Sequence, residues 1–280
     1  MRKKMSVGNV ILMIALLIFG LSLMYPLYWL ITRAFMTRLE ILSRDIPFLP
    51  KQLLWSNFSE GWKGIQGITY ATFYANTFKI VAICLAANLV SNSLVGFGFA
   101  RINFKHKNTL FMILLAVMML PPQVTMVPIY IMFAKAHLID TYVPLCIGAF
   151  FSASFFVFLF RQFMTGIPRE LDEAAVCDGC SIFGVYWRIA LPLSRPIMFT
   201  IGLFTFGEAY GDFMGPLIYI STIRKFTVTV ALRLFVSNDG TTNWGPILAM
   251  TLVAMIPGII IFFISQRNLM KGIATTGIKA

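Results

Sequence analysis

The chain reads as an all-α membrane protein of six transmembrane helices, and three features lead there. It is 58% hydrophobic and only 12% charged over 280 residues. Its apolar runs recur near the ~20 residues that a helix needs to cross a ~30 Å hydrocarbon core. Between the runs lie polar stretches that carry most of the Lys and Arg.

Six spans are predicted, over residues 10–31, 74–98, 110–131, 143–163, 197–220 and 246–266. The first follows Arg2, Lys3 and Lys4, as a secretory leader would. It is too long for a leader, lacks a small-residue cleavage site and precedes further spans, so it is expected to stay as an anchor. The second carries Asn88, Asn92 and Gly96 on one face, a spacing that marks helix packing more often than a pore. The third holds Pro121 and Pro122, which must kink or break it and free carbonyls that need new partners. The fourth is rich in Phe between Phe150 and Phe160 and reads as lipid-facing or packing surface. The fifth contains Glu208 and Asp212, four apart and so expected on one helical face, where intramembrane carboxylates meet a cavity or a partner. Two parts follow: residues 1–73, the anchor helix with the first outer loop, and residues 74–280, the core transmembrane domain.

Orientation comes from the basic residues. With the N-terminus inside, 13 Lys and Arg fall in cytoplasmic segments and 9 in outer loops, with Lys79 near a span end. Both termini are then expected in the cytoplasm. The net charge of +12 is explained by cationic loops facing anionic headgroups and calls for no nucleic acid.

The loop over residues 168–192, between the fourth and fifth spans, is a polar island in this apolar chain. Pro168 suits the first turn of a helix, Glu170, Asp172 and Glu173 suit the positive end of its dipole, and Gly179 suits a left-handed end. Ser181 can cap a second short helix, running to about Ile189 before Leu191 and Pro192 break it. With Asp178 and against Arg169, these acids give residues 169–178 a net charge of minus three, in a loop where the topology rule expects plus. A helix of about ten residues is marginal alone, so a partner or the membrane face must help to hold it. A cationic protein surface fits the charge.

Glu173-Ala174-Ala175, three residues, Gly179, nine residues, Ile189, one residue, Leu191-Pro192 resembles the EAA loop of the transmembrane subunits of binding-protein-dependent ABC importers. The closer resemblance is to the smaller, six-span member of a maltose-type carbohydrate permease pair. It extends through Pro26 to Trp29, Ala75-Asn76-Thr77, Phe99-Ala100-Arg101, Pro121 to Pro128, Arg161 to Ser181, Asp212-Phe213, Trp244-Gly245 and the tail from Gln266. It implies a type I ABC importer permease fold in the inner or sole cell membrane of a bacterium. It implies as partners a second permease subunit, two cytoplasmic ATPase subunits and an extracytoplasmic solute-binding protein, with membrane lipid around them. It implies that the loop is a coupling helix seated in an ATPase cleft, with Glu173 pairing with a basic group, Ala174 and Ala175 allowing close packing, and Gly179 making the turn; Asp178, Ile189, Leu191 and Pro192 complete that docking set.

The tail, with Thr276, Gly277 and Lys279, resembles the family's C-terminal segment, which inserts between the ATPases; a frayed terminus is the plain alternative. Asn238-Asp239-Gly240 is a turn signal in the outer loop that resembles the binding-protein contact, and a simple connecting loop is the alternative. Tyr210, Asp212 and Phe213 resemble a family pattern from which Gly211 departs by replacing an amide. With Glu208 they are candidates for a substrate pathway, against a structural contact with the partner permease.

No catalytic residues are expected. The chain has no G-x-x-x-x-G-K-[ST] loop, so ATP and Mg would be bound by the separate ATPase. Cys177 and Cys180 form a C-x-x-C without further ligands, and no metal site is expected. The alternative class is an ion- or proton-coupled secondary transporter or channel using Glu208 and Asp212. It gives the acidic loop helix nothing to do.

Overall fold

The computed structural model describes residues 7–44, 47–236 and 242–276, with Val7 and residues 267–276 as helical backbone only. In chain order the α-helices are α1 (Val7–Ala34), α2 (Arg38–Leu42), α3 (Ser56–Lys63), α4 (Tyr70–Arg101), α5 (Lys107–Met118), α6 (Pro122–Lys135), α7 (Val143–Cys146), α8 (Ser154–Thr165), α9 (Glu170–Cys177), α10 (Ile182–Val185), α11 (Leu191–Leu193), α12 (Arg195–Gly211), α13 (Met214–Tyr219), α14 (Val228–Leu234) and α15 (Trp244–Thr276). Among the described residues the only β pairing is an isolated bridge between Ile65 and Ile68.

Four stretches are long and apolar enough to cross a membrane: Gly8–Ala34, Tyr70–Arg101, Val143–Thr165 and Trp244–Gln266. Counting each of two bent pairs as one span raises the number to six. The pair α5 and α6 bends by 95°. Leu120 and Pro121 each precede a proline, which drives both out of helical geometry, and Pro122 restarts the chain as the first residue of α6. The second pair, Ile182–Leu193 with Arg195–Gly211, bends by 75°.

Two expectations need correction. The fifth span does not run unbroken to residue 220, because α12 ends at Gly211 and Asp212 takes an extended conformation before α13. Glu208 and Asp212 therefore do not share a helical face. The second loop helix does not stop before Pro192 either. Residues Tyr186–Ala190 widen into a π-helix, with Leu191 N–H bonded to Tyr186 O. This turn shifts the carbonyls away from the proline ring, and the helix continues to Leu193.

The chain divides into two compact units: Met1–Tyr70 with Leu232–Ile256, and Ala71–Ala231 with Pro257–Ala280. In the first, α1 leaves its apolar stretch bare, as lipid contact requires, and is fixed at its end. Buried Asn57 donates both amide hydrogens, to Ala34 O and Met36 O at 2.9 Å. Gly61 lets Met250 approach so closely that a Cβ there would stand 2.6 Å from Met250 Cγ.

In the second unit α4 is the central post. Asn88 Nδ2 donates to Thr205 Oγ1 at 3.3 Å, and Gly96 admits the ring of Phe160, which would lie 2.8 Å from a Cβ there. The fourth span breaks at Phe151–Ala153, where Ser152 has φ +68°. Such a break needs partners in hydrocarbon, and α4 supplies them: Asn92 Oδ1 accepts from Ala153 N–H at 2.8 Å, and Ser91 Oγ donates to Ala149 O at 2.8 Å. The Phe run divides accordingly: Phe156 and Phe160 are buried, while Phe150 and Phe151 are exposed.

Candidate functional site

The helical island begins at Glu170, with Arg169 at the N-cap and Pro168 one place earlier, outside the first turn. Arg169 O accepts from Asp172 N–H at 2.9 Å and Glu173 N–H at 3.1 Å. The far end closes as a Schellman motif: Gly179 N–H donates to Val176 O and Cys180 N–H to Ala175 O, both at 2.9 Å. Gly179 has φ +86°, and a Cβ there would meet nothing within 4 Å, so the demand for glycine is conformational rather than steric. Ser181 Oγ then accepts from Gly184 N–H at 3.1 Å and starts α10.

One side of this helix–turn–helix is sunk into the transmembrane helices. Ala175, Val185, Tyr186 and Ala190 join a buried cluster with Phe97 and Ala100 of α4, Phe156, Phe160 and Met164 of α8, and Ile201 of α12. Tyr186 carries its hydroxyl into that cluster, 2.9 Å from Ser93 Oγ; burying it without a partner would be costly. Its ring packs edge-on to Phe97 with centroids 5.3 Å apart. Ile189, Leu191 and Cys180 pack against the same cluster from its edge.

Charge ties the loop down as well. Arg101 Nε lies 2.6 Å from Asp172 Oδ2, with side chains 7% and 17% exposed. Arg101 Nε and Asp172 Oδ1 make no hydrogen bond, so charge rather than aligned donors holds this pair. Arg101 also donates to Ile167 O at 2.9 Å, and Arg169 to Ala100 O at 3.3 Å. Asp172 is thus withdrawn from the acidic surface that the sequence suggests. Glu170, Glu173 and Asp178 remain exposed, as do Ala174 and Pro192.

The exposed side is not simply acidic. Val176, Ile182, Phe183 and Trp187 are each more than half exposed. A groove of about 550 Å³ runs beside them, bordered by Arg101, Asp172, Glu173, Val176 and Ile182. A helix with an acidic stripe, an apolar rim and an adjoining groove offers the chemistry that a protein partner could engage.

Away from this loop, Asp140 forms a staple that the sequence reading passed over. It adopts φ +61°, and its carboxylate accepts from Ser221 N–H, Thr222 N–H, Thr222 Oγ1 and Lys225 Nζ at 2.7–3.0 Å. These donors, Lys225 first, hold the carboxyl well below the usual carboxylate range. Asn76 Nδ2 donates to Arg224 O and Phe226 O, and Thr77 Oγ1 accepts from Val228 N–H. Residues 221–228 are therefore clamped to the start of α4 and the loop before α7.

The pathway candidates lie around the break between α12 and α13. Asp212 Oδ1 accepts from Gly215 N–H at 3.0 Å and its main-chain carbonyl from Thr229 Oγ1, which is the work of a helix start. Tyr210 stacks on Phe206 at 5.2 Å, while Glu208 and Phe213 are exposed. Asn238, Asp239, Gly240, Gly277 and Lys279 lie outside the described residues, and Thr276 is described as the last residue of α15.

The sequence profile of binding-protein-dependent transport system inner membrane components matches residues 92–275. The probable ABC transporter permease protein YurM of Bacillus subtilis is 31% identical, over 99% of this chain and 91% of its own length. The arabinooligosaccharides transport system permease protein AraQ of the same organism is 28% identical, over 98% of this chain and 97% of its own. The sn-glycerol-3-phosphate transport system permease protein UgpE of Rhizobium meliloti is 30% identical, over 99% of both chains. In fold, the chain superimposes with a TM-score of 0.84 at 19% identity on the crystal structure of a bacterial ABC transporter involved in the import of the acidic polysaccharide alginate, covering 95% of this chain and 99% of that one. With its EAA-type loop built onto the transmembrane helices, the chain belongs to the binding-protein-dependent transport system inner membrane components, as a transport permease and not an enzyme.

Proposed function

We propose that this permease imports a carbohydrate and is driven through its 168–192 loop by a separate ATPase. The observation that carries the coupling reading is the two-sidedness of α9. Its inner side is fixed to α4 by Ala175 and the Arg101–Asp172 pair, while Glu173 and Ala174 stay open. A short helix fixed to α4, with Ala175 in a cluster shared by α4, α8 and α12, would pass on rigid-body motion that a polar loop would dissipate. Glu173 would pair with a basic group of the ATPase, Ala174 would allow close approach, and Asp178 and Pro192 would border the contact. Ala175, Ile189 and Leu191 would serve from behind, by holding the docking side in place.

The assembly would comprise this chain, a second permease, two cytoplasmic ATPase subunits that bind ATP and Mg, and an extracytoplasmic solute-binding protein. Residues 1–73 would form the anchor and its outer loop and 74–280 the transport core, with both termini in the cytoplasm of a bacterial cell. Asn238, Asp239 and Gly240 would meet the binding protein, and Thr276, Gly277 and Lys279 the ATPases. Glu208, Tyr210, Asp212 and Phe213 are candidate lining groups of the pathway. The carbohydrate reading is supported by the relative named for arabinooligosaccharides.

Glu173→Lys tests the coupling reading. The variant subunit should insert and associate with the second permease, lose the co-purifying ATPase, and lose uptake. Normal uptake with the ATPase bound would refute it. The substrate class is tested separately, by asking which ligand of the cognate binding protein stimulates ATP hydrolysis in the reconstituted transporter.

A further inference from the structure

A second cavity, of about 480 Å³, opens beside the docking loop, between the end of α4, the start of α5 and the end of α8. Lys107, Arg161 and Arg169 line it, and no carboxylate does. Among the described residues none of the three forms an ion pair. Each is steered by a backbone carbonyl: Arg161 Nε to Phe99 O at 3.4 Å, Arg169 Nη2 to Ala100 O at 3.3 Å, and Lys107 Nζ to Ile102 O at 2.9 Å. The carbonyl end of a helix is worth about half a negative charge, which leaves most of three positive charges uncompensated. Arg161 is further fixed by Phe111, whose ring centre lies 3.9 Å from the guanidinium carbon.

We infer that this cavity binds the phosphate of an anionic phospholipid headgroup. Three held cations supply the charge, Arg is suited to phosphate geometry, and Asn108 and Thr109 on the wall add neutral hydrogen-bonding groups. A lipid is favoured over free phosphate by the apolar surface nearby. Phe104 on the cavity wall is 40% exposed, and Leu110 and Ile113 of α5, whose first residues line the cavity, are 47% and 54% exposed, giving acyl chains apolar surface to lie on. The inference goes beyond the coupling reading, although Arg169 is shared by the cavity wall and the cap of α9.

The test uses the whole transporter in detergent, with native mass spectrometry and titration of phosphatidylglycerol, phosphatidylcholine or inorganic phosphate. The wild type should retain phosphatidylglycerol in preference to phosphatidylcholine. Lys107→Gln should weaken that retention about fivefold, the worth of one cation at an anionic surface. Lys107→Arg should restore it, and Lys105→Gln, which alters a nearby exposed cation that does not line the cavity, should leave it unchanged. Independently of any variant, phosphatidylglycerol should raise the melting temperature of the wild-type complex and phosphatidylcholine should not. Equal retention of the two lipids, equal thermal shifts, or equal effects of Lys105→Gln and Lys107→Gln would each overturn the inference. Binding of inorganic phosphate that Lys107→Gln weakens, with lipid retention unchanged, would assign the cavity to a soluble anion and overturn it too. ATPase co-purification should be normal in Lys107→Gln, so failure here would leave the docking reading untouched.

Discussion

Arg101→Gln should uncouple this permease without preventing its insertion. Arg101 sits at the end of α4 and holds the 168–192 loop through Asp172 at 2.6 Å and the residue just before it through Ile167 O at 2.9 Å. At that separation and an effective dielectric constant of ~20, the charges attract by about 6 kcal/mol. Much of this is offset, because both side chains have given up most of their water. Removing only the arginine strands a carboxylate that is 17% exposed, and breaking such a pair costs about 3 kcal/mol. That is a shift of roughly a hundredfold in the equilibrium between a loop seated on α4 and one lifted from it. The assay is the ratio of ATP hydrolysed to substrate imported in proteoliposomes, read together with thermal unfolding of the complex. Arg101→Gln should raise the ratio and lower the melting temperature. Arg101→Gln combined with Asp172→Asn should recover more than half of both losses, since no charge is then stranded. Wild-type coupling in the single variant, or a double variant no better than the single, would refute the view that this pair transmits the stroke.

Gly179 should tolerate Asn better than Ala, and Ala better than Val, because the left-handed turn and not space restricts it. The cost for Ala is about 1–2 kcal/mol, readable as loss of melting temperature in the assembled transporter; equal effects of Asn and Val would count against the assignment. Asp140→Asn should destabilise the chain by about 2 kcal/mol at neutral pH, since a charge-assisted contact to Lys225 and several hydrogen bonds weaken together. The pKa of Asp140 is depressed in the folded state, so its contribution is complete above the ordinary carboxylate range and declines as acid carries the pH down through the folded value. Melting temperatures of the wild type and Asp140→Asn should therefore stay apart from neutrality to mild acid and converge only below it. Convergence already near neutral pH would remove the carboxylate from the account.

Much of the docking loop was readable from local chemistry. Gly179 and Ser181 act through their own neighbours in sequence, so spacing alone exposes them. The two proline breaks differ instructively. Pro121 and Pro122 act on the local backbone and break the third span as expected, whereas Pro192 is absorbed by a π-turn set up by the preceding residues. What stayed hidden depends on contacts across long stretches of chain. Asp172 looks like one more acid until Arg101 stands beside it, and Tyr186 like one more apolar-face aromatic until Ser93 meets its hydroxyl. Asp140 gave no signal because its donors lie 81 to 85 residues further on. Glu208 and Asp212 misled for the converse reason: their spacing implied one helical face only while a helix joined them, and Gly211 ends it.

The bond from Asn92 to the break in the fourth span also bears on how the chain is made. Ala153 N–H has its acceptor 61 residues earlier, in α4, and bare in hydrocarbon that amide would cost several kcal/mol. As the ribosome delivers the segments, the second span is already in the bilayer when the interrupted one arrives. The acceptor that satisfies the interrupted span is therefore synthesised before the amide it serves. A leucine at position 92 would improve the hydropathy of the second span while removing the group that lets the fourth settle into the membrane.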